Sequence, residues 1–325
     1  MMKNNFKKIP SVHVAWQQQG FTLIELMIAL LIGLIVIAAA AGMFLSNSRV
    51  YGTTESVGRI QENTRAAFEI MSRDIREAGV TACGRSDTLM GTHAFLPEIQ
   101  AGVWVNGNAL DIYLSNNAIS NVIEHIDPAG PLRIAPAAGA AYAGDEMMAI
   151  CNSDFNVLFS ATTAAGGILT PTVPLSNSQG AELCFLKPAS GSWSSSCDLT
   201  GASSAYVGKV LRHRWEVRSN GRGGSSLYRQ LSYPNTAGNM QSLGAAEEIA
   251  ENVNEMRLAF RRSGDSAFQD NFSSWTAEDW KKVVSVQVTL VFQGDETGNA
   301  AGTDNAPLTR TMATATAMRN REDLL

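Results

Sequence analysis

The sequence predicts an α+β fold, in which a long N-terminal helix packs on a mainly antiparallel β-sheet domain. Three observations support this prediction. Residues 26–45 form an uncharged, mostly apolar run that is long enough to cross a membrane. Residues 57–78 carry an apolar stripe at helical spacing. Beyond residue 80, short apolar runs alternate with segments rich in Gly, Ser, Thr and Asn, as strands alternate with loops.

The apolar run is interpreted as a membrane-spanning helix. Its twenty residues would extend about 30 Å at about 1.5 Å per residue, which is the thickness of one bilayer core. The leader, residues 1–20, contains Lys3, Lys7 and Lys8 and no acidic residue. Because positive residues beside a span stay cytoplasmic, the rest of the chain should face the periplasm.

Glu25 places a carboxylate directly before this run. An unpaired charge at the centre of a span costs about 2.5–3.5 kcal/mol, so an acid in the membrane indicates a functional site with a partner. If the chain is cut between Gly20 and Phe21, the new amino group lies four residues from Glu25. In an assembly of parallel helices, the amine of one subunit can pair with Glu25 of its neighbour.

Residues 20–25, Gly-Phe-Thr-Leu-Ile-Glu behind a short basic leader, resemble the class III signal of type IV pilins and type II secretion pseudopilins. The resemblance implies a pilin-like fold and cleavage after Gly20 by the prepilin peptidase, which also N-methylates Phe21. It implies that Glu25 is the assembly carboxylate. The implied partners are membrane lipid, the major pilin, other minor pilins and the inner-membrane assembly platform.

Two alternatives remain for the N-terminal segment. One is an ordinary secretory signal peptide cleaved near residues 38–40, which are all Ala; Glu25 would then interrupt its apolar region. The other is a plain membrane anchor, which explains neither Glu25 nor the Gly20–Phe21 junction. The predicted organisation is a leader at 1–20, a transmembrane half-helix at 21–45, an amphipathic half-helix at 46–79 and a periplasmic β-rich domain with long loops at 80–325.

The helix is expected to continue to about Ala78, with Gly79 as its C-cap. The apolar stripe is formed by Val57, Ile60, Thr64, Ala67, Phe68, Met71, Ile75 and Ala78. An alternating ladder of charges, worth a few tenths of a kcal/mol per pair, occupies the opposite face. It consists of Arg65, Glu69, Arg73 and Glu77. We interpret this face as solvated, with a subunit interface as the alternative.

Most of the remaining chain is predicted to form strands. They are expected at 103–105, 110–114, 146–150, 156–159, 207–217, 226–231, 256–261, 283–292 and 308–318. Short helices are predicted at 247–255 and 275–282, the second with Thr276 as N-cap and Asp279 three residues on. Loops are predicted at 160–182, 188–205, 219–225, 232–245 and 294–307.

The four cysteines suggest two disulfides, for which sequence alone allows three connectivities. The favoured pairs are Cys184–Cys197, which closes a loop rich in Ser and Gly, and Cys83–Cys151, which would tie the helix exit to a strand. A closed loop of the first size contributes about 3 kcal/mol in the chain-entropy model. Metal binding is the alternative, but there is no Cys-x-x-Cys spacing.

A search for catalytic or cofactor motifs yields weak candidates, so we predict neither an enzyme nor a cofactor. The stretch from Glu124 to Asp127 is better explained as a turn before Pro128 than as a metal site, and His93 and His213 stand apart from it. Residues 221–224 favour a hairpin turn over a phosphate loop. A calcium site is a conceivable alternative in the loop that contains Asp295, Glu296, Asp304 and Asn305.

Five arginines form a locally basic segment that could suggest nucleic-acid binding. They are Arg212, Arg214, Arg218, Arg222 and Arg229. The net charge of the chain is −5, and arginines at alternate strand positions are more simply explained as an exposed strand face. We therefore predict no nucleic-acid partner.

Several shorter motifs, taken in order, resemble the PilW family of minor pilins. They lie at 73–79 with Cys83, and at 227–229, 251–258, 283–288 and 319–321. This resemblance implies a structural subunit of the assembly-priming or tip complex of a Gram-negative type IV pilus, which can carry a tip adhesin. The alternatives are a J-type minor pseudopilin of type II secretion and, from a different class, a membrane-anchored periplasmic enzyme or binding module.

Overall fold

The structure is a computed structural model. The residues it describes are 20–82, 84–115, 118–135, 142, 144–164, 167–177, 179–186, 197, 199–200, 204–294, 309–319 and 321. The chain divides into two compact units, Met1–Gly52 and Thr53–Leu325. The first helix, α1, covers Leu23–Glu77 and begins in the first unit.

The first unit contains the apolar part of α1. An 18-residue window of this helix has a mean hydropathy of 2.8, and none of that window is buried within the fold. By length and composition the helix can cross a membrane. Its side chains, such as Leu34 at 71% exposure, are not buried by the other described residues, as those of a core helix would be.

The second unit buries one side of the rest of α1. The predicted apolar stripe is confirmed from Ile60 onwards, since Ala67, Met71, Ile75 and Ala78 are fully buried. On the opposite side, Arg65, Glu69 and Arg73 are exposed, as a solvated face requires. The helix stops before Gly79, whose positive φ of 71° matches the predicted C-cap.

The other elements of the second unit are two short helices, α2 and α3, one 3₁₀ turn and eighteen strands among the described residues. The helices are α2 (Leu96–Ala101) and α3 (Ala277–Lys281), and the 3₁₀ turn is Ser86–Thr88. The strands are β1 (Val80–Thr81), β2 (Gly84–Arg85), β3 (Val103–Asn106), β4 (Ala109–Ser115), β5 (Ser120–Glu124), β6 (Leu132–Ala135), β7 (Met147–Cys151), β8 (Asn156–Ala164), β9 (Ile168–Pro171), β10 (Leu183–Cys184), β11 (Leu199–Thr200), β12 (Tyr206–Ser219), β13 (Ser225–Pro234), β14 (Met240–Ser242), β15 (Glu247–Glu251), β16 (Val253–Arg262), β17 (Val283–Gln293) and β18 (Thr309–Ala317).

The long strand β12 belongs to two β-structures at once. Its C-terminal part lies in an open antiparallel sheet with the order β3-β4-β12-β13, and β14 and β15 both pair with β13. Its N-terminal part pairs with β5 on one side and β7 on the other. The pairings β5-β6-β9-β8-β7 complete an antiparallel ring, so the part of the chain between β4 and β12 forms a small barrel.

Two main cores follow from this arrangement. The first lies between α1, the open sheet and the antiparallel sheet β16-β17-β18, and includes Trp215, Phe260 and alternate residues of β17. The second fills the barrel and includes Leu132, Ile150 and Phe185. The long helix on antiparallel sheets is the pilin-like α+β fold that the sequence predicts.

The nine predicted strands are all present, with bounds that differ by a few residues. The hairpin at 219–225 is confirmed, because Ser219 pairs with Ser225 and the N–H of Asn220 donates to the Gly224 carbonyl at 3.0 Å. The second short helix is confirmed as α3. Thr276 and Asp279 form the expected capping box at its start.

The helix predicted at 247–255 is wrong. This segment forms β15 and the start of β16, separated by Asn252 with a φ of 61°. Its four glutamates favour a helix locally. Pairing of β15 with β13 and of β16 with β17 instead satisfies the backbone hydrogen bonds, and it buries Ala250 and Val253.

Three of the predicted loops contain strands. The end of β8 and all of β9 lie within 160–182, β11 lies within 188–205, and β14 lies within 232–245. The sequence also missed α2, β5 and β6. The missed barrel strands β5, β6 and β9 have only four or five residues each, so their order arises from closure of the ring rather than from local pattern. Nearly all of the loop at 294–307, including the proposed calcium ligands, lies outside the described residues.

Candidate assembly site at the helix N-terminus

The predicted processing residues lie at the start of α1. Gly20, Phe21 and Thr22 precede the helix, which begins at Leu23. Phe21 is 86% exposed, and Gly20 is exposed beside it. The peptide bond between Gly20 and Phe21 is therefore accessible, and its cleavage would leave the helix itself unbroken.

Thr22 and Glu25 are joined by side-chain hydrogen bonds across the first turn. The Thr22 hydroxyl accepts from the Glu25 N–H at 3.3 Å and lies 3.5 Å from Glu25 Oε2. This Thr-x-x-Glu spacing is typical of a helix N-terminus. The free N–H groups of the first turn also favour a negative charge there. Glu25 is thus directed to the end of the helix where a Phe21 amine would form.

Sequence reasoning missed Thr22 as a functional residue. The available signal was a Thr three residues before a Glu, directly ahead of an apolar run. It also missed Asp74, which is 3% exposed on the buried side of α1. Asp74 lies three residues after Met71 and four before Ala78, so it falls on the apolar stripe.

Asp74 ties α1 to the open sheet. Its Oδ2 accepts from Trp215 Nε1 at 3.0 Å and lies 3.1 Å from His213 Nδ1 and 3.6 Å from Arg229 Nη1. Trp215 and His213 lie on β12, and Arg229 lies on β13. A cleft of about 620 Å³ runs beside this cluster, between α1 and the sheet. One hydrogen bond and two nearby basic side chains around the carboxylate describe a structural anchor rather than a catalytic arrangement.

The expectation that the basic segment is an exposed strand face is wrong for Arg212, which is 8% exposed. Arg212 and Arg214 lie 3.6 Å and 3.1 Å from the carboxylate of Asp111, which stands on the neighbouring strand β4. Burial raises the pKa of Asp111 to about 6, and the two arginines oppose that rise. Only Arg218 and Arg222 of the segment are exposed.

The histidines give no sign of a metal or catalytic centre. His125 is fully buried in the barrel, its Nδ1 accepts from the Phe185 N–H at 3.2 Å, and burial lowers its pKa to about 4. The turn lies slightly later than predicted, at 127–130 with Pro128 inside it, since the Gly130 N–H donates to the Asp127 carbonyl at 3.0 Å. His213 belongs to the Asp74 anchor. Within the described ranges, no group of three His, Cys, Asp or Glu side chains is placed to hold a metal ion.

A disulfide joins Cys184 to Cys197, with Cα atoms 5.7 Å apart. Cys184 is fully buried beside the barrel core. Cys151, at the end of β7, is also disulfide-bonded. Its predicted partner, Cys83, lies outside the described residues, so that pairing stays a prediction.

Residues 17–41 match the family model of the prokaryotic N-terminal methylation motif. The motif places this chain in the superfamily of type IV pilins and pseudopilins. It covers the Gly20–Phe21 junction, Glu25 and most of the apolar run, and it implies processing by the prepilin peptidase. Together with the apolar helix, it indicates a pilin-like protein anchored in the inner membrane with a periplasmic domain. No curated protein matches the chain with significance.

Proposed function

We propose that this chain is a minor pilin of the PilW type, a structural subunit of the assembly-priming or tip complex of a Gram-negative type IV pilus. The observation that carries the proposal is the exposed Gly20–Phe21 junction, with Glu25 in the first turn of an apolar helix, inside the matched motif. Cleavage would remove residues 1–20, and methylation would occur on Phe21. The domain beyond residue 79 would remain periplasmic until assembly.

The mechanism is insertion rather than catalysis. Before assembly, the apolar side chains of α1 lie in lipid; afterwards, they lie among the helices of neighbouring subunits. The Glu25 carboxylate of one subunit pairs with the Phe21 amine of the next. A subunit in the wrong axial register leaves a carboxylate unpaired in apolar surroundings, which is unfavourable by about 2.5–3.5 kcal/mol at the centre of a span.

The proposal is tested by replacing Glu25 and following two steps separately. In Glu25→Ala, the peptidase still cleaves after Gly20, but the subunit fails to enter sheared pili because its neighbour's amine has no partner. Glu55→Ala, which removes an exposed acid farther along α1, is the matched control and should enter at wild-type levels. Recovery of Glu25→Ala in pili at wild-type levels would contradict the proposal.

The motif and the fold fit a J-type minor pseudopilin of type II secretion equally well. The neighbouring genes distinguish the two functions. Other minor pilins and a large adhesin beside this gene support the pilus subunit, together with its expected partners: the major pilin and the inner-membrane assembly platform. Secretion-system components beside it favour the pseudopilin.

A further inference from the structure

Strand β18 is the edge strand of its sheet among the described residues. It pairs with β17 along nine residues in regular register, from Thr309 opposite Gln293 to Ala317 opposite Ser285. In the part of the chain that the structure describes, its other side pairs with no strand. Native edge strands are commonly protected by Pro, Lys or a bulge. This strand has none of these, and its one charged residue is Arg310.

The register determines which backbone groups face outward. The Met318 N–H donates to the Val284 carbonyl at 2.9 Å, so even-numbered residues of β18 direct their backbone groups to β17. In an antiparallel ladder the next residue points the other way. Thr311, Ala313 and Ala315 therefore present free N–H and C=O groups at the outer edge, and all three are exposed.

A groove of about 700 Å³ lies along the C-terminal half of this edge, with the end of α1 as its opposite wall. The Thr316 hydroxyl, 3.1 Å from Ser72 Oγ, holds strand and helix together beneath it. Among the described residues, the charged ones around the groove are Arg73, Arg76, Arg319 and Glu77. Glu77 lies 3.4 Å from Arg73, so within this described set positive charge is in excess.

We propose that this groove binds an extended, acidic segment of a partner protein, which adds a strand to β18. Backbone pairing to the free edge would supply affinity, as in other cases of strand addition to an exposed sheet edge. The arginines would select for Asp or Glu in the added strand. A second copy of this chain is a poorer occupant, because edge-to-edge pairing of two β18 strands would bring like-charged arginine clusters together.

This inference rests on the folded domain alone and is independent of the processing of Phe21. The test is photocrosslinking of the full chain in its native membrane, with a benzophenone amino acid at Thr311. Mass spectrometry identifies the crosslinked peptide.

The decisive variants are Ala315→Pro, which removes an outward N–H and keeps the β17 ladder, and Ala315→Val, which keeps that N–H. Arg76→Glu tests the charge without altering the strand.

The expected result is a crosslink to one acidic, extended segment of another protein. Its yield should fall about tenfold in Ala315→Pro, because edge hydrogen bonds are lost, and stay unchanged in Ala315→Val. The crosslink yield should also fall severalfold in Arg76→Glu. If Ala315→Pro does not fold, this variant alone tests whether the groove binds an acidic segment.

Three results would overturn the inference. The first is a yield unchanged in Ala315→Pro and Arg76→Glu. The second is a crosslink to a second copy of this chain or to a basic segment. The third is a yield at Thr311 no higher than that at Val173, an exposed residue that serves as the reference position.

Discussion

Asp74 is a charged residue that contributes to the fold rather than to a reaction. A buried carboxylate is tolerated only where charges and hydrogen-bond donors surround it. Here Trp215 donates a hydrogen bond to Asp74, and His213 and Arg229 place basic groups beside its carboxylate, all from two adjacent strands. The part of α1 that lies in the second unit is thereby held to the open sheet.

Removing this anchor should weaken the fold. We expect Asp74→Ala to lower the free energy of unfolding by about 3–5 kcal/mol, since it leaves buried partners unpaired. Glu69→Ala, one turn earlier on an exposed position of α1, should change it by less than about 0.5 kcal/mol. Denaturant unfolding of the full chain in detergent measures both. Equal effects of the two substitutions would mean that the Asp74 contacts contribute nothing.

Asp111 should make stability depend on pH. Burial raises its pKa from 3.8 in the unfolded chain to about 6 in the folded protein. The folded state therefore holds the proton more tightly, and the stability gained from protonation is complete below about pH 4 and lost as pH rises through about 6.

We subtract the unfolding midpoint of Asp111→Asn from that of the wild type. We expect this value to decrease from about pH 4 to about pH 7, because only the wild type loses the stability that protonation of Asp111 provides. Thermal unfolding at the two pH values measures it, and taking the difference between the two proteins removes the contribution of other carboxyl groups. A difference that stays constant, or grows with pH, would show that Asp111 titrates normally.

At the scale of elements, the ends of α1 and α2 meet at two glycines. A Cβ on Gly102 would lie 2.8 Å from both the Cα and the N of Gly79, and Gly102 has a φ of 75°. Gly102 therefore cannot carry a side chain without moving one helix end. The close contact between these two backbones fixes the position of the C-terminal end of α1 relative to the strands that follow.

Gly102→Ala should therefore lower the free energy of unfolding by more than the strain of a positive φ would by itself. Gly107→Ala is the matched control, because Gly107 also has a positive φ of 63° but open space around it. We expect about 1–2 kcal/mol for the control, from the left-handed backbone, and a clearly larger loss for Gly102→Ala. Similar unfolding midpoints for the two variants would argue against the close approach.

Elements with a strong local pattern could be predicted from the sequence. The stripe from Ile60 to Ala78 and the alternation in β17 follow directly from burial of one face, so α1 and β17 were found. The short barrel strands β5, β6 and β9 and strand β15 depend on their pairing partners in the sheets, which local pattern does not encode. The site residues divide in the same way. Glu25 could be identified from the sequence because it is a lone acid before an apolar run. The role of Asp74 could not, because it depends on the strands that surround it.

At the scale of the whole molecule, the chain combines a helix able to enter a membrane with a folded domain whose described residues contain no group of His, Cys, Asp and Glu placed to hold a metal ion. In the function that we propose, the chain is first processed and then assembled. The apolar helix would provide the assembly energy, and the domain would provide surfaces for neighbours, of which the proposed β18 edge is one.

Intact mass spectrometry of the protein purified from its native membrane tests the central claim most directly. The account predicts a chain that begins at Phe21 and carries one added methyl group. A chain that begins at Met1, or one that begins beyond Ala38 as after an ordinary signal peptide, would contradict it.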